Sequence, residues 1–285
     1  MKLRTEIEPL RKLGWIEPAT PVTLLGSCFS DNIGQLLERD GFDCIHNPLG
    51  PLFNPASIAN AVSLAAVGKR MQPEMLTEGP RGLHCMDFAS RFSGADGEEV
   101  CRAVNTGVGL LGTRLADPHP HVLVLTLGSA FVYLLDGERI VGNCHKFPAS
   151  RFVRRRLSIE EVVNSLSAAI GLLPASTFIV LTVSPVRHLD DGLHGNTLSK
   201  AVLHLAAEEL AKGENIVYFP AFEILTDDLR DYRFYADDLK HPSTMACEYI
   251  YEHFCSTFLT PEARQHAVGC RKAKALANHR PLFPD

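Results

Sequence analysis

The sequence predicts a three-layer α/β/α fold, in which a mostly parallel, doubly wound sheet carries helices on both faces. Short apolar runs alternate with helical patterns along the 285 residues, and 46% of the residues are apolar. Several runs are continuously apolar, which is what a parallel sheet covered on both faces requires. The alternation of strands with helices is typical of an open, doubly wound sheet.

Five short apolar runs bounded by turn residues are predicted strands. They span residues 22–27, 42–47, 121–128, 177–184 and 215–222.

Three predicted helices carry start signals in the sequence. Asn54 before a proline is read as a cap followed by a first-turn residue. Ser158 with Glu161 forms a capping box. Thr260 before a proline opens a last helical pattern.

Two segments fit the alternating plan less well. Residues 131–143 are predicted to form a hairpin, because an Asp136–Gly137 turn separates two β-rich runs. Residues 70–95 are irregular and polar. Both are interpreted as insertions that shape a pocket wall. The basic run at 151–158 is interpreted as a solvated face rather than an anion site.

Composition limits the classes of partner. The net charge is −5 and no basic stripe is present, so nucleic acid is not expected as a partner. No window approaches the roughly 20 apolar residues that span a bilayer, and the N-terminus lacks a signal-peptide core. We therefore expect a cytoplasmic protein without membrane insertion, built as one domain over 1–285 with 260–285 as a C-terminal helical extension.

The eight cysteines are scattered and form no Cys-x-x-Cys pair. Reduced thiols are favoured over a disulfide framework or a zinc knuckle. The histidines lack paired ligand spacing, so no metal is expected.

The stretch "VTLLGSCFSDNIGQLL", residues 22–37, places two nucleophile-capable side chains after the first strand. Open α/β sheets bind ligands at the carboxyl ends of their strands, and a helix N-terminus there suits a developing oxyanion. Ser27 is thus a candidate nucleophile; alternatively it only caps a helix beginning near Ser30 or Asp31. Cys28 faces the other way and is interpreted as a buried structural thiol.

A second candidate element lies near the other end of the chain. In "FYADDLKHPST", residues 234–244, Asp238 precedes His241 by three positions, and a helical run follows. The carboxylate can hold the ring by its Nδ1–H and leave Nε2 as a general base. A serine after the first strand and Asp-x-x-His before the last helices together favour a serine hydrolase.

This layout resembles that of the SGNH (GDSL-type) hydrolases, and more closely that of the GSCFA family within that superfamily. The resemblance covers residues 1–260 in order. The matching stretches are "GSCFS" (26–30), "NPLGPLFNPASI" (47–58), "TLGSAFVY" (126–133), "NCHKFPASRF" (143–152), "LTVSPVRHLDDG" (181–192), "SKAVL" (199–203) and "DDLKHPS" (237–243).

The resemblance implies an SGNH-hydrolase-like, flavodoxin-like fold, with Ser27 as nucleophile, His241 as base and Asp238 as the acid that orients the ring. It also implies an oxyanion hole made by the N–H of Ser27, the N–H of Gly50 and an asparagine side chain. The sequence departs from the superfamily directly before the serine, where Gly26 stands in place of the usual aspartate.

The asparagine of the third block is also absent. The expected Gly-x-Asn is "GSA" here, so Ala130 occupies the position of the amide donor. Loss of one such donor typically costs about 10²–10³ in turnover. We expect Ser129, or Asn143 or His145 from the hairpin, to replace it.

"SPVRH" follows the fourth predicted strand and brings Arg187 and His188 to the same sheet edge. Both are candidates for binding a carboxylate or phosphate of the substrate. The alternative is that Arg187 pairs with Asp190 or Asp191.

The sequence therefore predicts a serine esterase or acyltransferase acting on an O-acyl ester of a sugar or other small polar carrier, without a metal or organic cofactor. A catalytically weakened binding module on the same fold and a phosphoester-processing enzyme remain as alternatives.

Overall fold

A five-stranded parallel sheet lies at the centre of the computed structural model, which describes residues 4–8, 10–80 and 82–277. The described strands are β1 (Val22–Gly26), β2 (Cys44–His46), β3 (Thr77–Gly79), β4 (Gly82–His84), β5 (Ser93–Gly94), β6 (His121–Leu127), β7 (Phe131–Leu135), β8 (Arg139–Val141), β9 (Phe152–Arg156), β10 (Thr177–Val183) and β11 (Ile216–Tyr218). The described α-helices are α1 (Cys28–Arg39), α2 (Pro55–Ala66), α3 (Gly97–Leu115), α4 (Ile159–Ile170), α5 (Gly192–Leu210), α6 (Ala221–Glu223), α7 (Thr244–Phe258) and α8 (Pro261–Ala277).

The central sheet has the strand order β2-β1-β6-β10-β11, and all four pairings are parallel. The five predicted strands and the doubly wound α/β class are thus confirmed. The last strand ends at Tyr218 rather than at residue 222, because Pro220, which lacks an N–H for the ladder, precedes α6.

Two apolar cores cover the two faces of this sheet. Along β1, Leu25 faces a core shared with α2, α3, α4 and α5, whereas Val22 and Leu24 face a core shared with α1, α7 and α8. Neighbouring residues of a strand point to opposite faces, so a strand buried on both sides reads as a continuous apolar run. For this reason, the continuously apolar runs in the sequence indicated a sheet with helices on both faces.

The helix start signals act as predicted. Asn54 accepts a hydrogen bond from the N–H three residues on, and Ser158 and Glu161 form the reciprocal capping box. Thr260 Oγ1 accepts from the N–H of Ala263 at 3.1 Å. Helix α8 then packs through Ala263 and Ala267 onto the core. Residues 278–285 of the predicted extension lie outside the described residues.

The predicted hairpin is present as β7 and β8, and part of the basic run adds a third strand that the sequence did not predict. Residues 152–156 form β9, which pairs with β7 and completes a small three-stranded antiparallel sheet. Two of its three arginines are paired: Arg154 donates to Asp191 at 2.5 Å and Arg155 to Glu161 at 3.0 Å. Residues 70–95 hold another small sheet, β3-β4-β5.

All eight cysteines are free thiols in the structure. Within the described residues, no helix combines the length and apolarity needed to cross a bilayer.

Gly26 is expected to tolerate no side chain. Its φ is +138°, and a Cβ there would lie 2.1 Å from the carbonyl oxygen of Thr126 on β6. We expect Gly26→Ala to lower the free energy of unfolding by about 3 kcal/mol or more, measured by urea unfolding. Gly109→Ala, in open space on α3, is the control and should gain about 0.5–1 kcal/mol. Equal unfolding free energies for the two variants would contradict this.

Candidate active site

Ser27 is the first residue after β1 and the N-cap of α1. Its Oγ accepts from the N–H of Phe29 at 3.3 Å, so the capping interpretation is confirmed, although the helix begins at Cys28, earlier than expected. The neighbours β1 and β6 form the switch point of this strand order, where open α/β sheets bind ligands. Capping and a role in the site are therefore compatible.

Asn47 braces the turn that carries Ser27. Its Oδ1 accepts from the N–H of Gly26 at 2.9 Å, and its Nδ2 donates to the carbonyl of Ser27 at 3.3 Å. The residue is buried with a φ of +40°, a conformation that asparagine tolerates better than most residues. The sequence does not predict this role, for which the only signal is the position of Asn47 in the "NPLG" stretch.

Ser184 is the side chain that binds the candidate nucleophile. Ser27 Oγ donates to Ser184 Oγ at 2.8 Å, and both serines are fully buried. Ser184 follows β10, and its N–H donates to the carbonyl of Leu127 at 2.8 Å. The stretch "SPVRH" does not single out this residue, because a lone serine after a strand carries no distinguishing pattern.

Lys200 of α5 lies beneath the ends of two strands. Its Nζ donates to the carbonyl oxygens of Gly128 and Ser184, both at 2.7 Å, and the residue is 3% exposed. Burial lowers the pKa of Lys200 to about 7. The lysine therefore ties the carboxyl ends of β6 and β10 together next to Ser27.

The buried lysine makes stability depend on pH in a defined direction. Its pKa is about 7 in the folded protein and 10.5 ordinarily, so between these values the unfolded chain binds more protons and the free energy of unfolding rises with pH. Between pH 7 and 8.5 we expect the wild type to gain about 1–2 kcal/mol relative to Lys200→Met in urea unfolding. Parallel pH profiles for the two proteins would contradict this.

Asp238 and His241 form a hydrogen-bonded pair on the loop before α7. Asp238 Oδ2 lies 2.6 Å from Nδ1 of His241, and Oδ1 accepts the N–H groups of Lys240 and His241 at 2.9 and 3.0 Å. These bonds, first of all the one from the N–H of His241, hold the pKa of Asp238 far below its usual range. An ionised carboxylate only accepts hydrogen bonds, so Nδ1 carries the hydrogen, and the neutral form of this ring has its lone pair on Nε2.

The Asp238–His241 loop lies near Ser27 without a direct bond to it. The N–H of Arg187, beyond the end of β10, donates to the carbonyl of Lys240 at 3.0 Å. The pKa of the Cys28 thiol is raised, mostly by burial and then by the charges of Asp31 and Asp238. In the part of the chain that the structure describes, no hydrogen bond joins Ser27 to His241, since the Ser27 hydroxyl is directed at Ser184.

The two backbone donors implied for the oxyanion hole already have acceptors. The N–H of Ser27 donates to the carbonyl of Thr126 at 3.1 Å, and the N–H of Gly50 donates to the carbonyl of Asn47 at 2.8 Å. Either group would have to exchange its partner in order to bind a substrate oxygen. Their assignment as oxyanion donors stays a prediction.

The side chains expected to replace the missing asparagine are also engaged. Ser129 Oγ lies 3.3 Å from Ser199 Oγ. Asn143 Oδ1 accepts the N–H of His145 at 2.8 Å, and Nε2 of His145 bonds the carbonyl of Cys85 at 2.8 Å. Among the described residues, none of these bonds reaches Ser27 or Gly50, so their role as donors stays a prediction too.

Arg187 and His188 take different positions beside the Asp238–His241 loop. The Arg187 guanidinium lies over the ring of Tyr235, 5.5 Å from its centroid, and donates to the carbonyl of Leu239 at 3.3 Å. Within the described residues it has no carboxylate partner, and Asp191 pairs with Arg154 instead. His188 is largely buried, and that burial, followed by the charge of Lys200, lowers the pKa of its ring to about 4.

Within the described residues, no group of three or more His, Cys, Asp or Glu side chains is arranged to hold a metal ion. The chemistry available at this edge of the sheet is that of a hydroxyl, an imidazole and a carboxylate. These are the groups of acyl transfer through a serine.

Comparison with known proteins supplies a family. A sequence model of the GSCFA family matches residues 21–254. The chain is similar to a carbohydrate esterase family 3 structure from Talaromyces cellulolyticus, at 9% identity and TM-score 0.41 over 88% of this chain and 99% of that one. It is also similar to a carbohydrate esterase family 2 enzyme with a carbohydrate-binding domain from Corynascus thermopiles (Myceliophthora fergusii), at 12% identity and TM-score 0.41 over 89% and 68%. A search among curated proteins finds no match.

Proposed function

The chain belongs to the GSCFA family, and from that premise we propose that it is a serine esterase or acyltransferase. Ser27 is the nucleophile, His241 the general base and Asp238 the carboxylate that orients the ring. The substrate is an O-acyl ester of a sugar or of another small polar carrier, with Arg187, His188 and His145 as candidate contacts.

The observation that carries the proposal is the Asp238–His241 pair. Three hydrogen bonds fix the carboxylate, which in turn fixes the tautomer of the imidazole. A base held in this way can accept a proton from a neighbouring hydroxyl. Ser27, which stands at the switch point and at the positive end of α1, supplies such a hydroxyl.

The proposed reaction proceeds in two halves. Ser27 Oγ attacks the acyl carbon, the carbonyl π pair moves to the oxygen, and the hydroxyl proton passes to Nε2 of His241. The bond to the leaving alcohol then breaks, and His241 returns the proton to that alcohol. Water or a second alcohol resolves the acyl-enzyme by the same steps in reverse order.

One movement is required before attack. The Ser27 hydroxyl must turn from Ser184 toward His241, because its hydrogen now lies in the bond to Ser184. The hydrogen of a serine hydroxyl rotates to suit its partner.

A fluorophosphonate probe tests the proposal, since it labels only an activated serine. We expect one adduct per chain, located by mass spectrometry in the peptide that contains Ser27. Activity toward p-nitrophenyl acetate and toward acetylated sugars then reports the substrate class, and added alcohols separate transfer from hydrolysis.

A ligand-binding module is the second candidate. The observation in its favour is that the Ser27 hydroxyl and the N–H groups of Ser27 and Gly50 are all bonded within the protein. On this alternative the probe leaves the protein unlabelled while sugar esters still bind to it.

A further inference from the structure

Ser184 contacts the atom that would react. Its Oγ lies 2.8 Å from Ser27 Oγ, and no other hydroxyl among the described residues is bonded to that atom. We infer that Ser184 is a further catalytic residue, whose hydroxyl donates a hydrogen bond to the oxyanion of the tetrahedral intermediate. This inference rests on the proposed function and assigns the donor that Ala130 cannot supply.

The geometry of the intermediate favours this assignment. In the tetrahedral adduct, Ser27 Oγ and the oxyanion are bonded to the same carbon and lie closer together than two hydrogen-bonded atoms. A donor 2.8 Å from Ser27 Oγ is also within hydrogen-bond reach of the oxyanion when that oxygen takes the position on the Ser184 side of the carbon, and rotation of the Ser184 hydroxyl then directs its hydrogen at it. An oxyanion donor must lie about 2.7–3.1 Å from the position that the charged oxygen takes.

The chemistry of a hydroxyl also fits the sequence of proton transfers. A hydroxyl both accepts and donates, whereas an amide N–H only donates. Ser184 accepts the Ser27 hydrogen in the resting protein. Once that proton has passed to His241, the bond no longer exists, and the Ser184 hydrogen is free to point at the oxyanion as its charge develops.

The protein holds Ser184 in place before any substrate arrives. Its N–H donates to the carbonyl of Leu127, its carbonyl accepts from Lys200, and its Oγ accepts from the N–H of Val186 at 3.3 Å. Donors fixed in advance in a water-free site stabilise charge better than mobile ones. By contrast, the Ser129 hydroxyl bonds Ser199 Oγ and accepts the N–H of Phe131, and neither of these bonds involves Ser27.

The experiment compares Ser184→Ala with the wild type on p-nitrophenyl acetate and on the matching thionoester. Sulfur is a weak acceptor, so an oxyanion donor matters much less for the thionoester. We expect the variant to lose about 10²-fold in kcat on the ester, with KM little changed, and less than 10-fold on the thionoester. Equal losses on both substrates would assign Ser184 a purely structural role and overturn the inference.

Two further variants control the result. Ser30→Ala removes another buried serine hydroxyl, which bonds Thr126 Oγ1 at 2.9 Å, and it should leave kcat within about 3-fold. Ser184→Cys keeps a side chain of similar shape with a weaker and slightly larger donor, and its kcat should fall between those of wild type and alanine. If kcat is unchanged in both Ser184 variants, the inference about Ser184 is overturned and the proposed function stands. If the wild type shows neither esterase activity nor probe labelling, the proposed function is overturned as well.

Discussion

Ser27→Ala is expected to abolish labelling by fluorophosphonate and to lower ester turnover by at least about 10⁴-fold. Without the hydroxyl, no covalent acyl-enzyme forms, and neither His241 nor Ser184 has a nucleophile to act on. The change also removes the cap of α1, which costs about 1 kcal/mol of stability. Thermal unfolding measured beside the kinetics separates this loss from the loss of turnover.

Cys28→Ala is the matched control for that experiment. The thiol adjoins Ser27, but its pKa is raised by burial and by acidic neighbours, which disfavours the reactive thiolate. We expect the variant to retain most of its activity and its full labelling. If the Cys28→Ala variant is inactive and the Ser27→Ala variant is active, the nucleophile is the cysteine.

His241→Ala is expected to lower kcat by about 10²–10⁴-fold, because the proton of Ser27 then has no base to receive it. Asp238→Ala should cost less, about 10–10²-fold, since the imidazole remains but its tautomer is no longer fixed. Both variants should fold normally, because the pair lies on a partly exposed loop. Steady-state kinetics on p-nitrophenyl acetate measures both effects.

The chain offers a matched control on the opposite edge of the sheet. His119 precedes β6, is exposed, and bonds Asp117 Oδ1 through its Nδ1 at 2.8 Å, as His241 bonds Asp238. His119→Ala should leave turnover unchanged. If His241→Ala behaves like His119→Ala, the base is wrongly assigned and the binding-module alternative is favoured.

The layers of the fold could be predicted because they depend on local sequence. A continuous run such as 121–128 is buried on both faces whichever strands adjoin it, and a capping box such as Ser158 with Glu161 acts within four residues. The strand at 152–156 was missed for the opposite reason. Its arginines mask the period of the strand, and the partners that neutralise two of them, Asp191 and Glu161, lie outside the run.

The site was predicted where two groups are close in sequence and missed where they meet only in space. Asp238 and His241 lie three residues apart, so their pairing could be expected. Ser27 and Ser184 are 157 positions apart, and Lys200 lies on yet another element. Nothing in the composition of "SPVRH" distinguishes the serine that binds Ser27 from one that faces water.

The complete burial of Ser27 has a kinetic consequence. A reagent reaches the hydroxyl only during openings of the surrounding structure, so the observed modification rate is the intrinsic rate multiplied by the open fraction. At low reagent concentration, each 1.4 kcal/mol of opening free energy slows modification about tenfold. At high reagent concentration the modification rate reaches a plateau that equals the opening rate of the structure. The same limit holds in amide hydrogen exchange when closing is slower than the chemical step. The height of that plateau is therefore a property of the protein alone, and it is the same for every reagent that is small enough to enter.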